Sequence, residues 1–363
     1  MMEEALALAR RAEGRTSPNP IVGAVVVADG QIVGRGFHPG AGQPHAEVLA
    51  LREAGERARG ATVYVTLEPC NHTGRTGPCT EALIAAGVRR VVAAMIDPDP
   101  AVSGRGIVRL REAGIEVEVG LLEARARRAN EGFIKHRRTG LPFVTLKWAM
   151  SLDGRTAARR DRRTTLTGEE ARRFVHRLRN VSDAVLVGVG TVLADDPHLT
   201  CRLPAETVPA PRNPLRVVLD SRLRTPSAAR VVRAVGEAPT LIATTRAAPA
   251  DRVEALRREG VEVLVQDRPG GPVDLRALLE VLGRRGLLHV LIEGGGTVHA
   301  AALAAGVADK IVALVAPCLL GEERAPTPLD GAGAAALTAP LRLHHVEIVA
   351  LGDDVAVTGY LEA

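Results

Sequence analysis

Short apolar runs that alternate with segments of helical period constrain this chain more than any other feature. From Glu3 to Ala12 the period is helical; IVGAVVVADGQIVGRGF then reads as two strands joined at Asp29-Gly30, a pair that favours a tight hairpin. Helix AEVLALREAGERA, strand ATVYVTL, helix CTEALIAAG, strand VRRVVAAM, helix GIVRLREAG and strand IEVEVG follow in strict alternation, and helix LLEARARRANEGFIKH closes the series. This order predicts a layered α/β sheet with parallel strands. VVAAM, apolar on both faces, suits a strand buried on both sides.

The second half starts the alternation again with unrelated motifs. Strands are expected at FVTLKWA, SDAVLVGVG, PLRVVLDS, PTLIATT, VEVLVQD, LLHVLIEGGG and DKIVALVAP, with helices between several of them. A length of 363 residues exceeds the size at which single cores stop growing, so two α/β domains are expected. The charged, Gly- and Pro-bearing HRRTGLP suits a linker, which puts a boundary near Arg138 to Pro142 and domains over 1–140 and 141–363. Arg159 to Arg163 and Pro204 to Pro214 read as surface loops.

Composition narrows the function. No run of about 18 apolar residues occurs, and MMEEALALARRAEGR carries acids where a signal peptide is apolar, so a cytoplasmic location away from membranes is expected. Four cysteines are too few for a disulfide scaffold, and only Cys70 and Cys79 are close enough to share a task. A net charge of +5 suits nucleic acid or anionic small molecules, but one Trp, two Tyr and four Phe offer few stacking platforms. Phosphorylated small molecules are therefore the expected partners, and nucleic acid is not. The only lysines are Lys135, Lys147 and Lys310, which makes each a mild candidate for a special role.

The densest chemistry lies between His45 and Cys79. Zinc takes imidazole and thiolate ligands in a tetrahedron, and a catalytic zinc keeps one position for water. His45, Cys70 and Cys79 supply three such ligands, and Glu47, on the first turn of the helix that His45 opens, can reach that water without being a ligand. The combination suits hydrolytic deamination of an amino-substituted heterocycle. Cys79 opens helix CTEALIAAG, where a helix N-terminus is expected to stabilise its thiolate.

These residues resemble the zinc-dependent cytidine deaminase superfamily, whose signature is H-x-E followed by P-C-x-x-C. Here eight residues, NHTGRTGP, separate the two cysteines. That spacer in EPCNHTGRTGPC, with TSPNPIVGAVVV upstream and DPDPAVSGRGI downstream, resembles the deaminase half of the bifunctional riboflavin biosynthesis proteins, from about Glu3 to Lys135. Asn71 and Gly77 stand where that family usually has Ser and Pro. The resemblance implies that Asn19 holds substrate near the zinc; a plain Pro-Asn-Pro turn is the other reading. His72, Gly74 and Arg75 in the spacer form a cationic loop that can grip substrate, or a simple solvated loop.

LKWAMSLDGRTA, SDAVLVGVGTVLADDPHLTCR, PLRVVLDSRLRTP and LLHVLIEGGGTVHAAALAAG resemble the reductase half of the same family, which has a dihydrofolate-reductase-like fold. The glycine run Gly294-Gly295-Gly296 lies between a strand and a helix, where backbone N–H groups can approach cofactor phosphates. By resemblance, Ala149, Thr191, Asp195, Ser221, Gly295 and Gly296 face NADPH, and Arg179, Leu199, Arg202 and Glu293 face substrate. Arg179 and Arg202 can fork a phosphate. Lys147 and Asp195 are both candidates for delivering the proton that accompanies hydride. Thr165-Leu166-Thr167 replaces the family's Trp-Ile-Thr and Gly321-Glu322 its double Gly, and Arg162 and Arg163 can compensate by pairing with a 2'-phosphate.

The function so implied is a zinc-dependent deamination of a diaminopyrimidinone ribosylamino 5'-phosphate, then NADPH-dependent reduction of its ribosyl group to ribityl, by a cytoplasmic homo-oligomer. Its alternatives are an active deaminase with a degenerate reductase domain, a nucleoside or RNA deaminase, and a binding protein with structural zinc.

Overall fold

A computed structural model describes residues 1–72, 77–100, 102–160, 164–204, 211–268, 270–335, 337 and 339–361. The chain divides into two compact units, Met1–Leu141 and Pro142–Ala363. Among the described residues no helix is long and apolar enough to cross a membrane.

In the first unit, α1 (Met2–Arg10) precedes β1 (Gly23–Ala28) and β2 (Gln31–Phe37), which pair antiparallel around Asp29-Gly30, both at positive φ. Then come α2 (Ala46–Ala54), a 3-10 turn at Gly55–Ala58, β3 (Thr62–Val65), α3 (Cys79–Ala85), β4 (Arg90–Ala93), α4 (Arg105–Glu112) and β5 (Glu116–Val119). The sheet order is β2-β1-β3-β4-β5. The hairpin expected at Asp29-Gly30 and the parallel pairing expected after it, of β3, β4 and β5, are both present; β1 runs antiparallel to β3 as well as to β2. A two-residue hairpin can join β1 only to an antiparallel strand.

Helices cover both faces of this sheet. Gly23 and Gly36 sit at adjacent register positions, Gly23 opposite Phe37 and Gly36 opposite Ala24, so they face opposite sides. A Cβ on Gly23 would strike the Ala5 carbonyl of α1, and one on Gly36 the Ala46 carbonyl of α2. The expected single helix LLEARARRANEGFIKH is instead two, α5 (Glu123–Ala129) and α6 (Glu131–Thr139). The division falls at Asn130, whose backbone departs to φ −115 and whose buried side chain accepts from Ile21 N at 2.9 Å and donates to Ile21 O at 3.0 Å. Because α6 continues to Thr139, the expected linker shrinks to the residues after it.

The second unit is one nine-stranded sheet, β6 (Phe143–Ser151), β7 (Ala184–Gly188), β8 (Leu215–Leu219), β9 (Thr240–Thr245), β10 (Glu262–Gln266), β11 (His289–Gly294), β12 (Lys310–Ala316), β13 (His344–Leu351) and β14 (Asp354–Tyr360). Its order is β10-β9-β8-β7-β11-β6-β12-β14-β13. Pairing is parallel from β10 to β12; β14 and β13 add an antiparallel hairpin that the strand reading above does not contain. The connecting helices are α7 (Glu169–Val181), α8 (Val189–Asp195), α9 (Arg230–Arg233), α10 (Ala250–Arg258), α11 (Leu275–Arg284), α12 (Gly296–Ala304) and α13 (Ala332–Ala335). Val185, Val187, Val218, Ile242 and Leu291 form the buried core on the α8 side of the sheet. The chain starts in the middle at β6, winds outward through β7 to β10, and returns to insert β11 beside β6. Such a reversal opens a crevice at the C-terminal ends of the strands.

Candidate functional sites

In the first unit, His45 is the extended residue that opens α2, and Cys79 is the first residue of α3. The His45 Nδ1 lies 3.2 Å from Cys79 Sγ and 3.5 Å from Cys70 Sγ, and the three atoms lie within 4.8 Å of one another. Zinc–sulfur bonds of about 2.3 Å and zinc–nitrogen bonds of about 2.0 Å in a tetrahedron separate ligand atoms by about 3.5 to 3.8 Å. The group therefore fits a zinc ion with a small outward shift, and its donor set of one imidazole and two thiols suits that metal.

The sulfurs are not equivalent. The Cys79 thiol and backbone N–H both point at Cys70 Sγ, the N–H at 3.4 Å, and with His45 they hold the Cys70 thiol down to about 4. The same contact and burial push Cys79 up. The backbone N–H at the start of α3 donates to Cys70 Sγ. Glu47 is 3% exposed; burial first, then the charge on Cys70, push its carboxyl up to about 7.

A cavity of about 260 Å³ lies over this group, lined among others by Asn19, His38, Glu68, His72, Asp97 and Arg137. The His38 Nδ1 donates to Pro44 O at 3.2 Å, so Nε2 accepts from Asn19 Nδ2 at 3.0 Å and fixes which end of the amide is the oxygen. His38 gave no signal in the sequence beyond a histidine in a turn. Glu68 is 4% exposed and accepts from the backbone N–H of Asp97, Gly104 and Gly106 at 3.1, 2.9 and 2.9 Å, tying the DPDPAVSGRG loop to the strand that leads to Cys70. Asn71 accepts from Thr80 Oγ1 at 2.8 Å, so it pins the cysteine loop to α3 and is not a ligand. Gly74 and Arg75 lie outside the described residues.

In the second unit, the expected residues gather at the C-terminal ends of β6, β7, β8 and β11. Lys147 and Ala149 are on β6, Thr191 and Asp195 on α8, Ser221 just past β8, and Glu293 near the end of β11. Register between β11 and β7 shifts at Glu293, an irregularity of the kind that re-aims a side chain. The aim is towards Arg179 of α7, whose Nε and Nη2 each donate to a Glu293 oxygen at 2.6 Å. The third nitrogen, Nη1, donates to Thr200 O at 3.1 Å. The two nitrogens of Arg179 that were expected to fork a phosphate hold Glu293 here.

Burial raises Glu293, but Arg179 beside it outweighs that and leaves the carboxyl below its ordinary range. Burial lowers Lys147, against the pull of Glu293. His176 is held at about 4 by burial and then by Arg179 and Arg202, so it is a neutral acceptor; Arg202 N donates to its Nδ1 at 3.2 Å. Leu199, at φ +56, buries its side chain in the core, which leaves only its backbone to face a ligand. The helix after the glycine run begins inside it: Gly296 opens α12 and Gly295 caps it at φ +93. Arg162 and Arg163 lie outside the described residues, and Thr165 and Glu322 are exposed.

Comparison with known proteins assigns both units. Residues 1–95 match the cytidine and deoxycytidylate deaminase zinc-binding region, and residues 142–357 match the RibD C-terminal domain. The chain is 43% identical to riboflavin biosynthesis protein RibD of Aquifex aeolicus, over 98% of this chain and 96% of that one. It is 46% identical to the Escherichia coli protein of the same name, over 89% and 88%. Among solved structures, Acinetobacter baumannii RibD, form 1, superposes with a TM-score of 0.86 at 42% identity, covering 100% of this chain and 98% of the other. A diaminohydroxyphosphoribosylaminopyrimidine deaminase/5-amino-6-(5-phosphoribosylamino)uracil reductase from Thermotoga maritima gives 0.84 at 35% identity, covering 99% and 97%. With a zinc-binding deaminase region that holds the His45, Cys70 and Cys79 group, a RibD C-terminal domain, and kinship over the whole length, the chain belongs to the RibD family of bifunctional deaminase/reductases of riboflavin biosynthesis.

Proposed function

We propose that the first unit converts 2,5-diamino-6-(5-phosphoribosylamino)pyrimidin-4(3H)-one and water to 5-amino-6-(5-phosphoribosylamino)uracil and ammonia, and that the second reduces the ribosyl group of that product to ribityl with NADPH. The observation that carries the first step is a carboxyl, Glu47, buried beside three converging zinc-type ligands at the floor of a polar cavity. Zinc held by His45, Cys70 and Cys79 supplies a Lewis acid that brings the pKa of water to about 7. Glu47, buried beside the ligand group, takes a proton from the attacking water and passes it to the departing amine. Asn19, oriented by His38, offers its amide oxygen to an exocyclic amine.

In the second unit the donor set suits a nicotinamide nucleotide: a helix start at Gly295 and Gly296 without a side-chain cap, a strand-end hydroxyl at Ser221, and a cavity of about 570 Å³ beside that hydroxyl. NADPH bound there would supply the hydride for reduction at the ring-opened sugar carbon. Lys147, close to Glu293, donates the accompanying proton to the nitrogen of the ring-opened imine, so that C=N becomes CH2–NH, and the Arg179–Glu293 pair gives substrate hydroxyls a fixed acceptor. Ala149, Thr191 and Asp195 line the cofactor side, and Leu199 and Arg202 the substrate side. We place the enzyme in the cytoplasm, where its free thiols stay reduced, as a homo-oligomer that covers the exposed Val346, Ile348 and Val349 of β13.

The test follows ammonia and NADPH absorbance separately on purified, zinc-loaded protein. Equal loss of substrate amine and NADPH is expected. Ammonia without NADPH oxidation would mean a degenerate reductase unit, and Glu47→Ala releasing ammonia at the original rate would sink the proton-transfer role.

A further inference from the structure

The turn after β8, Asp220-Ser221-Arg222-Leu223-Arg224-Thr225, is built more rigidly than an exposed loop requires. Leu223 holds φ +55, a conformation that disfavours any side chain, and its own side chain is fully buried in the core. Asp220 Oδ2 accepts from Thr225 N at 2.6 Å and from Thr225 Oγ1 at 2.8 Å, and Leu223 N donates to Asp220 O at 3.0 Å. Ser221 Oγ accepts from Val273 N at 3.0 Å, which fastens the turn to the next loop.

Anchoring Leu223 inward presents the residues on either side of it outward. Arg222 and Arg224 are both exposed, both line the cavity of about 570 Å³, and among the described residues neither makes an ion pair. Val189, Leu219 and Pro272 give the same cavity apolar walls of the kind a purine needs. Asp220 also borders it, but at 1% exposure its carboxylate is withdrawn into the turn. The solvent-exposed charged groups that line this cavity are therefore the two guanidiniums.

We propose that Arg222 and Arg224 grip the 2'-phosphate of the cofactor's adenosine and so decide the choice of NADPH over NADH. This rests on the reading of the second unit as a nicotinamide-dependent reductase. Leu223 fixes the backbone that carries both arginines, so only their side chains remain to be ordered on a dianion, and each charge-assisted pair adds to affinity for the phosphate alone. An acid exposed at such a strand end would instead accept from a free 2'-hydroxyl.

The experiment measures NADPH and NADH binding to the full chain by quenching of Trp148, the single tryptophan, in the wild type and in R222Q/R224Q. Wild type is expected to prefer NADPH, and the double variant to lose about 100-fold of that preference. Competition separates the sources of phosphate: 2'-AMP is expected to displace NADPH from wild type and to do so poorly from the variant, whereas displacement by ribose 5-phosphate that the variant alone loses would assign the arginines to substrate and overturn the proposal. An unchanged NADPH-to-NADH ratio in the variant, or equal wild-type affinity for both, would overturn it while leaving the reductase reading intact. Wild type that binds neither nucleotide would overturn both.

Discussion

Arg179 and Glu293 place opposite charges where little water reaches them, with side chains 12% and 6% exposed. Such a pair contributes little net stability while intact, but removing one partner strands the other. Arg179→Met is expected to destabilise the second unit by about 3 to 5 kcal/mol, read from urea unfolding followed at Trp148. Adding Glu293→Leu should restore most of the stability and none of the reductase activity. The pair also sets an acid limit. Glu293 titrates below its ordinary 4.5 in the folded state, so its contribution is complete above that value and is lost as pH falls through the lower folded one. The Arg179→Met/Glu293→Leu protein should lack that part of the acid-side slope. The sequence marked both residues as substrate-facing by resemblance, yet could not reveal that they face each other, since 114 positions separate them and only the fold closes the gap.

At the scale of elements, Glu68 joins the cysteine loop to α4. Its carboxylate meets four backbone N–H groups, those of Gly106 and Ile107 in the first turn of that helix, where negative charge is favourable, and those of Asp97 and Gly104 before it. Gly106 lets the helix come this close: a Cβ there would lie 2.0 Å from Pro69 O, one residue before Cys70. Gly106→Ala is therefore expected to displace a ligand loop as well as a helix, lowering bound zinc per chain, measured by atomic emission, together with ammonia release. NADPH affinity should not change. Most strands and helices were legible because buried parallel strands are apolar on both faces and amphipathic helices are not. The β13–β14 hairpin was missed for the opposite reason: β13 is exposed along nearly its whole length, so its residues carry no core pattern. The break at Asn130 was hidden because the partner of its side chain, the Ile21 backbone, is 109 positions away.

At the scale of the molecule, each unit has its own sheet and its own site, so the two chemistries are separable. Chelating the zinc is expected to abolish ammonia release while NADPH oxidation continues when 5-amino-6-(5-phosphoribosylamino)uracil is supplied directly. Loss of both activities on chelation, with zinc restoring both, would contradict that independence.

The sequence by itself determined that there are two α/β units, that His45, Cys70 and Cys79 are ligands in waiting, and that Glu47 stands beside them. These follow from local period and from residue types whose chemistry has few other uses. Tertiary structure alone decided which sulfur receives the helix N–H, that His38 orients Asn19, that Arg179 is bound to Glu293, and that Arg222 and Arg224 line the cavity beside Ser221. In a chain so rich in arginine, identity says little about role, because a guanidinium's function depends on which anion the fold brings within reach.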